Sequence, residues 1–157
     1  RGKRSVVLTA VVPKDTQDGS YHENLVVVAF DEAQEPVGQR LIPLSIQVGT
    51  DFIYQGEIRS FAAEKTEEGH ILSLDMTNTG TVDLKPIADV VISNEEGEFV
   101  DRIALAMAHD DDFVMPLQSI QLSGISEGLE TGAYQAQISV TSSSREVLTQ
   151  AITFEVE

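Results

Sequence analysis

The chain of 157 residues contains no cysteine and no tryptophan, has only four lysines, and has no apolar run close to the roughly 20 residues that a membrane-spanning helix needs. Without cysteine there is no disulfide, no Cys-ligated zinc, no iron–sulfur cluster and no thiol nucleophile. Without tryptophan, and with aromatics at only 6%, the stacking platforms that a sugar-cleaving site would want are lacking. Ten basic residues against 26 acidic ones leave a formal charge of −16. Counterion release therefore cannot drive binding to DNA or RNA, and anionic membrane surfaces are poor partners. The acidity itself reads as a solvated, like-charged surface that keeps the chain soluble. Neither G-x-G-x-x-G nor G-x-x-x-x-G-K-[ST] is present, which removes the common phosphate-cradling loops. The opening residues, Arg1 to Arg4, lead into a strand pattern and not into a signal-peptide core, so no signal peptide is read in this chain.

What is present is a two-residue rhythm. Tyr134, Ala136, Ile138 and Val140 alternate with Gln135, Gln137, Ser139 and Thr141, and Leu148, Ile152, Phe154 and Val156 belong to a similar pattern. Leu72, Leu74 and Met76 alternate with Ser73, Asp75 and Thr77, and further runs fall at 87–93, 98–106 and 117–122. Turn chemistry at Glu68-Gly69, Asn78-Thr79-Gly80 and Asn94-Glu95-Glu96-Gly97 separates them. The one stretch with helical spacing, Ile58 to Glu68, is explained as well by a first strand and a turn, and the strand is the favoured reading. The expected fold is all-β. Residues 51–157 hold seven short strands, the size and count of an immunoglobulin-like β-sandwich. Leu129-x-x-Gly132-x-Tyr134 stands where such domains place a tyrosine corner, whose phenol bonds a backbone group upstream.

An internal repeat organises the rest. Gly19 with Tyr21 and Gly132 with Tyr134 share an offset of 113 residues, and the apolar runs around them correspond. Tyr21, Gly132 and Tyr134 are accordingly assigned structural roles. Residues 1–49 read as the last three strands, about 5–12, 21–30 and 40–48, of a second, partial sandwich whose opening strands are absent. Val6, Leu8, Val12, Tyr21, Leu25, Val27, Ile42, Leu44, Ile46 and Val48 are expected to face one way. Left uncovered, they forgo about 1.5 to 3 kcal/mol each, roughly 15 to 30 kcal/mol together, which exceeds the whole net stability of a typical domain. Leu25, Val27, Leu44 and Ile46 are therefore the candidate interaction face. Its cover is expected from an upstream segment, a second copy as homodimer or strand exchange, a partner's strands, or the second sandwich folded back. Only Gly49, Thr50 and Asp51 separate Val48 from Phe52, which argues against folding back.

Three groups of residues resemble a known family: Val11-Val12-Pro13-Lys14-Asp15-x-x-x-Gly19-x-Tyr21, then Leu41 to Val48 leading to Ile53-Tyr54, then Leu74-x-Met76-x-Asn78-x-Gly80. The order looks like the end of the first domain and all of the second in pilus-assembly-chaperone-like proteins. It is also similar to WxL-interacting-type surface modules among bacterial extracytoplasmic proteins with tandem immunoglobulin-like units. The resemblance implies a non-catalytic structural or protein-binding role at the cell surface or in the periplasm. It also implies, as an alternative, a periplasmic chaperone for pilus or adhesin subunits. The chain lacks the N-terminal strands that carry the chaperones' basic anchor, so no subunit-binding residue is carried over. An accessory domain of a larger surface hydrolase is the reading from a different class.

Catalytic and metal chemistry finds little support in the sequence. Gly124-Ile125-Ser126-Glu127-Gly128 matches G-x-S-x-G, but the elbow needs a following helix and a later histidine, and none lies beyond His109. Glu67 with Glu68 and Glu95 with Glu96 fall in turns, not in a cleft that would raise one pKa. His22, His70 and His109 share no ligand spacing and read as surface residues beside strand ends. Asp110, Asp111 and Asp112 after His109 form the best candidate calcium site, although the EF-hand glycine and glutamate are missing and a solvated acidic loop is the plainer reading. No cofactor and no enzymatic activity are expected.

Overall fold

The computed structural model describes residues 7–109 and 113–157. Among these, nine strands form three antiparallel sheets and there is no helix. The chain divides into two compact units at Asp51 and Phe52.

The first unit is a long hairpin of β1 (Gly19–Phe30) and β2 (Pro36–Val48). Its tip turns on one carboxylate. Asp31 Oδ1 accepts from the amides of Ala33 at 2.8 Å and Glu35 at 3.0 Å. The Asp31 amide donates to Glu35 O at 3.0 Å, and Gln34 takes a left-handed φ of 66° to close the loop. At the base of the hairpin, Tyr21 donates its hydroxyl proton to Gln17 O at 2.7 Å. Two of the three strands expected here are present, each longer than the sequence pattern indicated. The strand expected over 5–12 is not: residues 7–12 are not in a strand, and 5–6 lie outside the described residues. An apolar run becomes a strand only when another strand takes up its N–H and C=O groups, and no described strand pairs with this one.

The second unit holds β3 (Gly56–Thr66), β4 (Gly69–Asn78), β5 (Pro86–Asn94), β6 (Phe99–Leu105), β7 (Ser119–Ser126), β8 (Gly132–Ser142) and β9 (Arg145–Val156). They form a three-stranded sheet, β3-β4-β7, and a four-stranded one, β6-β5-β8-β9. The stretch with helical spacing is thus a strand, β3, paired to β4 from Gly56–Asn78 to Thr66–Gly69. One apolar set of each of the main alternating segments points between the sheets. Leu72, Leu74 and Met76 of β4, Val90 and Ile92 of β5, Leu122 of β7 and Ile138 and Val140 of β8 are fully buried in one sandwich-like core. Each such aliphatic side chain contributes about 1.5–3 kcal/mol of burial. Tyr134 stacks on Phe154 at 5.7 Å, and Phe154 meets the Phe61 ring edge-on at 5.0 Å, which ties β8 and β9 to β3 across the gap.

The sheets also touch at their margins. Beyond β6, Ala106 pairs with Ser123 of β7 through both backbone bonds, at 2.9 and 3.1 Å. The chain comes so near that a Cβ on Gly124 would sit 2.7 Å from Ala104 O, so glycine is required there.

The end of β4 is fastened by Asn78, which has no exposed surface. Its Nδ2 donates to Val82 O and Val114 O, both at 2.8 Å, and its Oδ1 accepts from the Gly80 amide at 3.0 Å. One amide thus gathers three backbone groups, of which Val114 O also accepts from the Leu84 amide and the Gly80 amide also donates to Gln55 O. At the same end of the unit, β8 turns into β9 through Ser143 and Ser144, both left-handed at φ 51° and 63°. That is type I′ geometry, which asparagine and glycine adopt more readily than serine. Two outcomes follow. Asn78→Ala removes these three bonds from a fully buried position and lowers stability by about 1–3 kcal/mol, read as a drop in thermal midpoint. Replacing Ser143-Ser144 by Asn-Gly relieves two left-handed serines and raises stability by about 1 kcal/mol in the same measurement.

Candidate functional site

Strand register decides which side chains share a face. In the first hairpin Tyr21 is opposite Ile46, Glu23 opposite Leu44, Leu25 opposite Ile42 and Val27 opposite Arg40. Leu25, Val27, Leu44 and Ile46 therefore lie on one face, joined by Tyr21, Ile42 and Val48. The stripe carries two charges, Glu23 and Arg40.

The same arrangement occurs in β8 and β9. Gly132 is opposite Val156 and Tyr134 opposite Phe154, as Gly19 is opposite Val48 and Tyr21 opposite Ile46. Tyr134 donates to Glu130 O at 3.1 Å and accepts from the Glu130 amide at 3.2 Å. Tyr21 reaches the carbonyl of Gln17, again four residues back. Gly132 opens β8, and a Cβ added there would meet the Tyr134 ring at an ordinary 3.9 Å. Tyr21, Gly132 and Tyr134 thus occupy the bases of two like hairpins.

The two hairpins differ in their cover. Tyr134, Val140 and Phe154 are 9%, 0% and 7% exposed beneath the β3-β4-β7 sheet, whereas Tyr21, Val27 and Ile46 are 41%, 44% and 37% exposed. Leu25 and Leu44 are half-buried, and no described hydrophobic residue before Phe52 is buried. Ala10, Val11, Val12 and Pro13 run beside Tyr21 and Ile46, where they line a shallow apolar groove of about 300 Å³. The reverse face is greasy too, since Val26, Val28, Phe30 and Leu41 are exposed. In β8 the outward positions are Gln135, Gln137, Ser139 and Thr141.

The hairpin base has its own electrostatic fastening. Asp18 Oδ2 accepts from the amides of Asp51 at 2.6 Å and Thr50 at 2.7 Å. These two bonds hold its carboxyl below the ordinary value of 3.8, the Asp51 bond contributing most. Sequence spacing gave no sign of this contact, because the partners are backbone amides 32 and 33 residues away.

The other residues singled out from sequence do not assemble into a reactive site. Ser126 is buried at the end of β7 and donates to Asp101 Oδ2 at 2.6 Å, with no helix following. Glu67, Glu68, Glu95 and Glu96 are exposed in turns. His109 is exposed and His22 half-buried. His70 corrects the surface reading: it is 7% exposed on the core side of β4, and neither ring nitrogen has a hydrogen-bond partner among the described residues. The alternation that points Leu72, Leu74 and Met76 inward reaches back to position 70 and takes the imidazole with it. Asp110, Asp111 and Asp112 lie outside the described residues. Among the described residues no three His, Asp or Glu side chains are grouped to hold a metal ion, and no helix is long and apolar enough to cross a membrane. A scan against protein-family models finds no match, and a search of curated proteins finds none either.

The sign of the Asp18 effect follows from its lowered pKa. The contribution is present above pH 3.8 and is lost as pH falls through the folded value. The protection of the Thr50 and Asp51 amides from exchange, taken relative to their intrinsic rates, is expected to fall on acidification below pH 4, while Asp18→Asn lowers it already at neutral pH and abolishes that acid step.

Proposed function

We propose that the protein is a non-catalytic, extracytoplasmic structural or protein-interaction module built from immunoglobulin-like sandwiches. In this reading it binds a protein partner through the uncovered hairpin face and its free sheet edges. The immunoglobulin-like reading of the second unit is supported by seven antiparallel strands ordered β3-β4-β7 against β6-β5-β8-β9, with a tyrosine corner at the start of the sixth. The surface or periplasmic location is supported by the resemblance to pilus-chaperone-like and WxL-interacting-type proteins.

One observation carries the binding role. Side chains that the second unit buries between two layers are exposed at the corresponding positions of the first. A contiguous apolar surface of this kind marks an interaction site in a soluble protein. The opposite charges Glu23 and Arg40 within it favour a matched partner surface over indiscriminate adhesion.

The test is capture of a protein partner from cell-surface extract by the intact chain, compared with Leu25→Asp/Ile46→Asp and with Gln137→Asp on the polar face of β8. Capture that falls at least tenfold in the double variant and stays unchanged in the Gln137 variant supports the reading. No capture by the intact chain, or equal capture by all three, overturns it.

A further inference from the structure

By composition Gly49-Thr50-Asp51 is a flexible connector, a glycine followed by two polar residues. The fold leaves little of that freedom. Within the first unit, Oδ2 of the Asp18 carboxylate accepts from the consecutive amides of Thr50 and Asp51. Gly49 lies against the same carboxyl with a left-handed φ of 84°, and a Cβ there would run into the Asp18 side chain. This glycine therefore serves close approach and not looseness. Within the second unit, Ile53 donates its amide to Thr81 Oγ1 at 3.1 Å, and its carbonyl accepts from the Thr81 amide at 3.0 Å. Gln55 O accepts from the amides of Thr79 and Gly80 at 3.0 and 3.1 Å. The turn gripped in this way is rooted in the core by Asn78, and the Arg145 guanidinium lies over the Tyr54 ring at 4.6 Å.

We infer that the two units turn on a hinge confined to Asp51 and Phe52, and that Asp18 is the catch that fixes its length. Each set of bonds closes within its own unit. The last amide held on the first side is that of Asp51, and the first held on the second side is that of Ile53. Peptide bonds are planar, so only the φ and ψ of Asp51 and Phe52 lie between the fastened atoms. Both residues carry a Cβ, which restricts those torsions to the ordinary allowed regions. Such a joint lets each unit reorient as a rigid body over a narrow range, whereas a loose Gly-Thr-Asp stretch would open a wide one. The two sides are not equally secure. Ile53 and Gln55 share four bonds among several partners, while both bonds to Thr50 and Asp51 end on a single oxygen. Loss of that one side chain frees both amides together and returns Gly49 and Thr50 to the hinge.

The hinge is independent of what the exposed hairpin face binds. Its test is nuclear magnetic resonance of the intact chain in a weakly aligning medium. Residual dipolar couplings from β1 and β2 give one alignment tensor, and those from β4, β5 and β8 give another. The ratio of the weaker to the stronger tensor falls as the units move more independently. In the unaltered chain the amides of Thr50, Asp51 and Ile53 are expected to keep strand-like order parameters of about 0.85, with the Phe52 amide below them. Asp18→Ala is expected to lower the tensor ratio at least twofold and to bring Thr50 and Asp51 to loop-like order parameters below about 0.6. Asp31→Ala removes the other carboxylate that holds two amides, at the hairpin tip, and is expected to leave both readings unchanged. This control separates release of the hinge from loss of a charge. Where alanine loosens the hairpin itself, Asp18→Asn makes the same comparison with the side-chain shape kept, and the ratio again falls. An unchanged ratio in both Asp18 variants overturns the catch. Strand-like order at Phe52 with identical tensors in every form overturns the hinge. Loop-like order throughout 49–55 of the unaltered chain, or β1 and β2 couplings there that fit no single tensor, overturns both.

Discussion

An apolar sheet face is stable in water only when a second layer covers it, and this constraint separates the two halves of the chain. Under the β3-β4-β7 sheet, β8 and β9 bury Tyr134, Ile138, Val140 and Phe154 and form the centre of a core to which every strand of the unit contributes. The first hairpin repeats the pairing and the tyrosine but has no such layer among the described residues. The contrast lies in what is stacked above the strands. Local propensity is alike in both, as the matching registers at Gly19–Val48 and Gly132–Val156 show. The proposed interaction role therefore rests on a difference between two copies of one motif and not on a cleft or a reactive group.

Much of this architecture was legible because alternation is a direct record of which side of a strand meets the core. Leu72, Leu74 and Met76 gave β4, and Tyr134 to Val140 gave β8. Ile58 to Glu68 forms a strand and a turn and not a helix because the strand, at the sheet margin, pairs with β4 whatever its weak helical spacing. The tyrosine hydrogen bonds were legible too, since the geometry that makes them is local. Where the reading stopped, the missing information was non-local. Residues 7–12 have the apolar content of a strand but pair with no described strand, and nothing in their own composition records that. The buried, unbonded His70 follows from a parity that sequence analysis applied to its neighbours and not to the histidine itself.

Asn78 shows the same limit from the polar side. In sequence it belongs to an Asn-Thr-Gly turn, and the turn is present. Its importance comes from the carbonyls of Val82 and Val114, the latter 36 residues away, which the side chain gathers into one buried network. The Asp18 carboxylate does similar work at the other unit's base with the amides of Thr50 and Asp51. Long-range polar ties of this sort fix where loops return to the strands. They leave almost no mark on composition or spacing, because the partner atoms are backbone and carry no identity.

The phenol bond from Tyr21 to Gln17 spans only four residues and asks nothing of any other layer. A hairpin clasped this way at its root, and again at its tip by Asp31, holds its outline before anything docks on it. Much of the conformational freedom that association would otherwise remove is already gone, so a visiting chain meets a preorganised template and the entropic penalty of ordering falls mainly on the visitor.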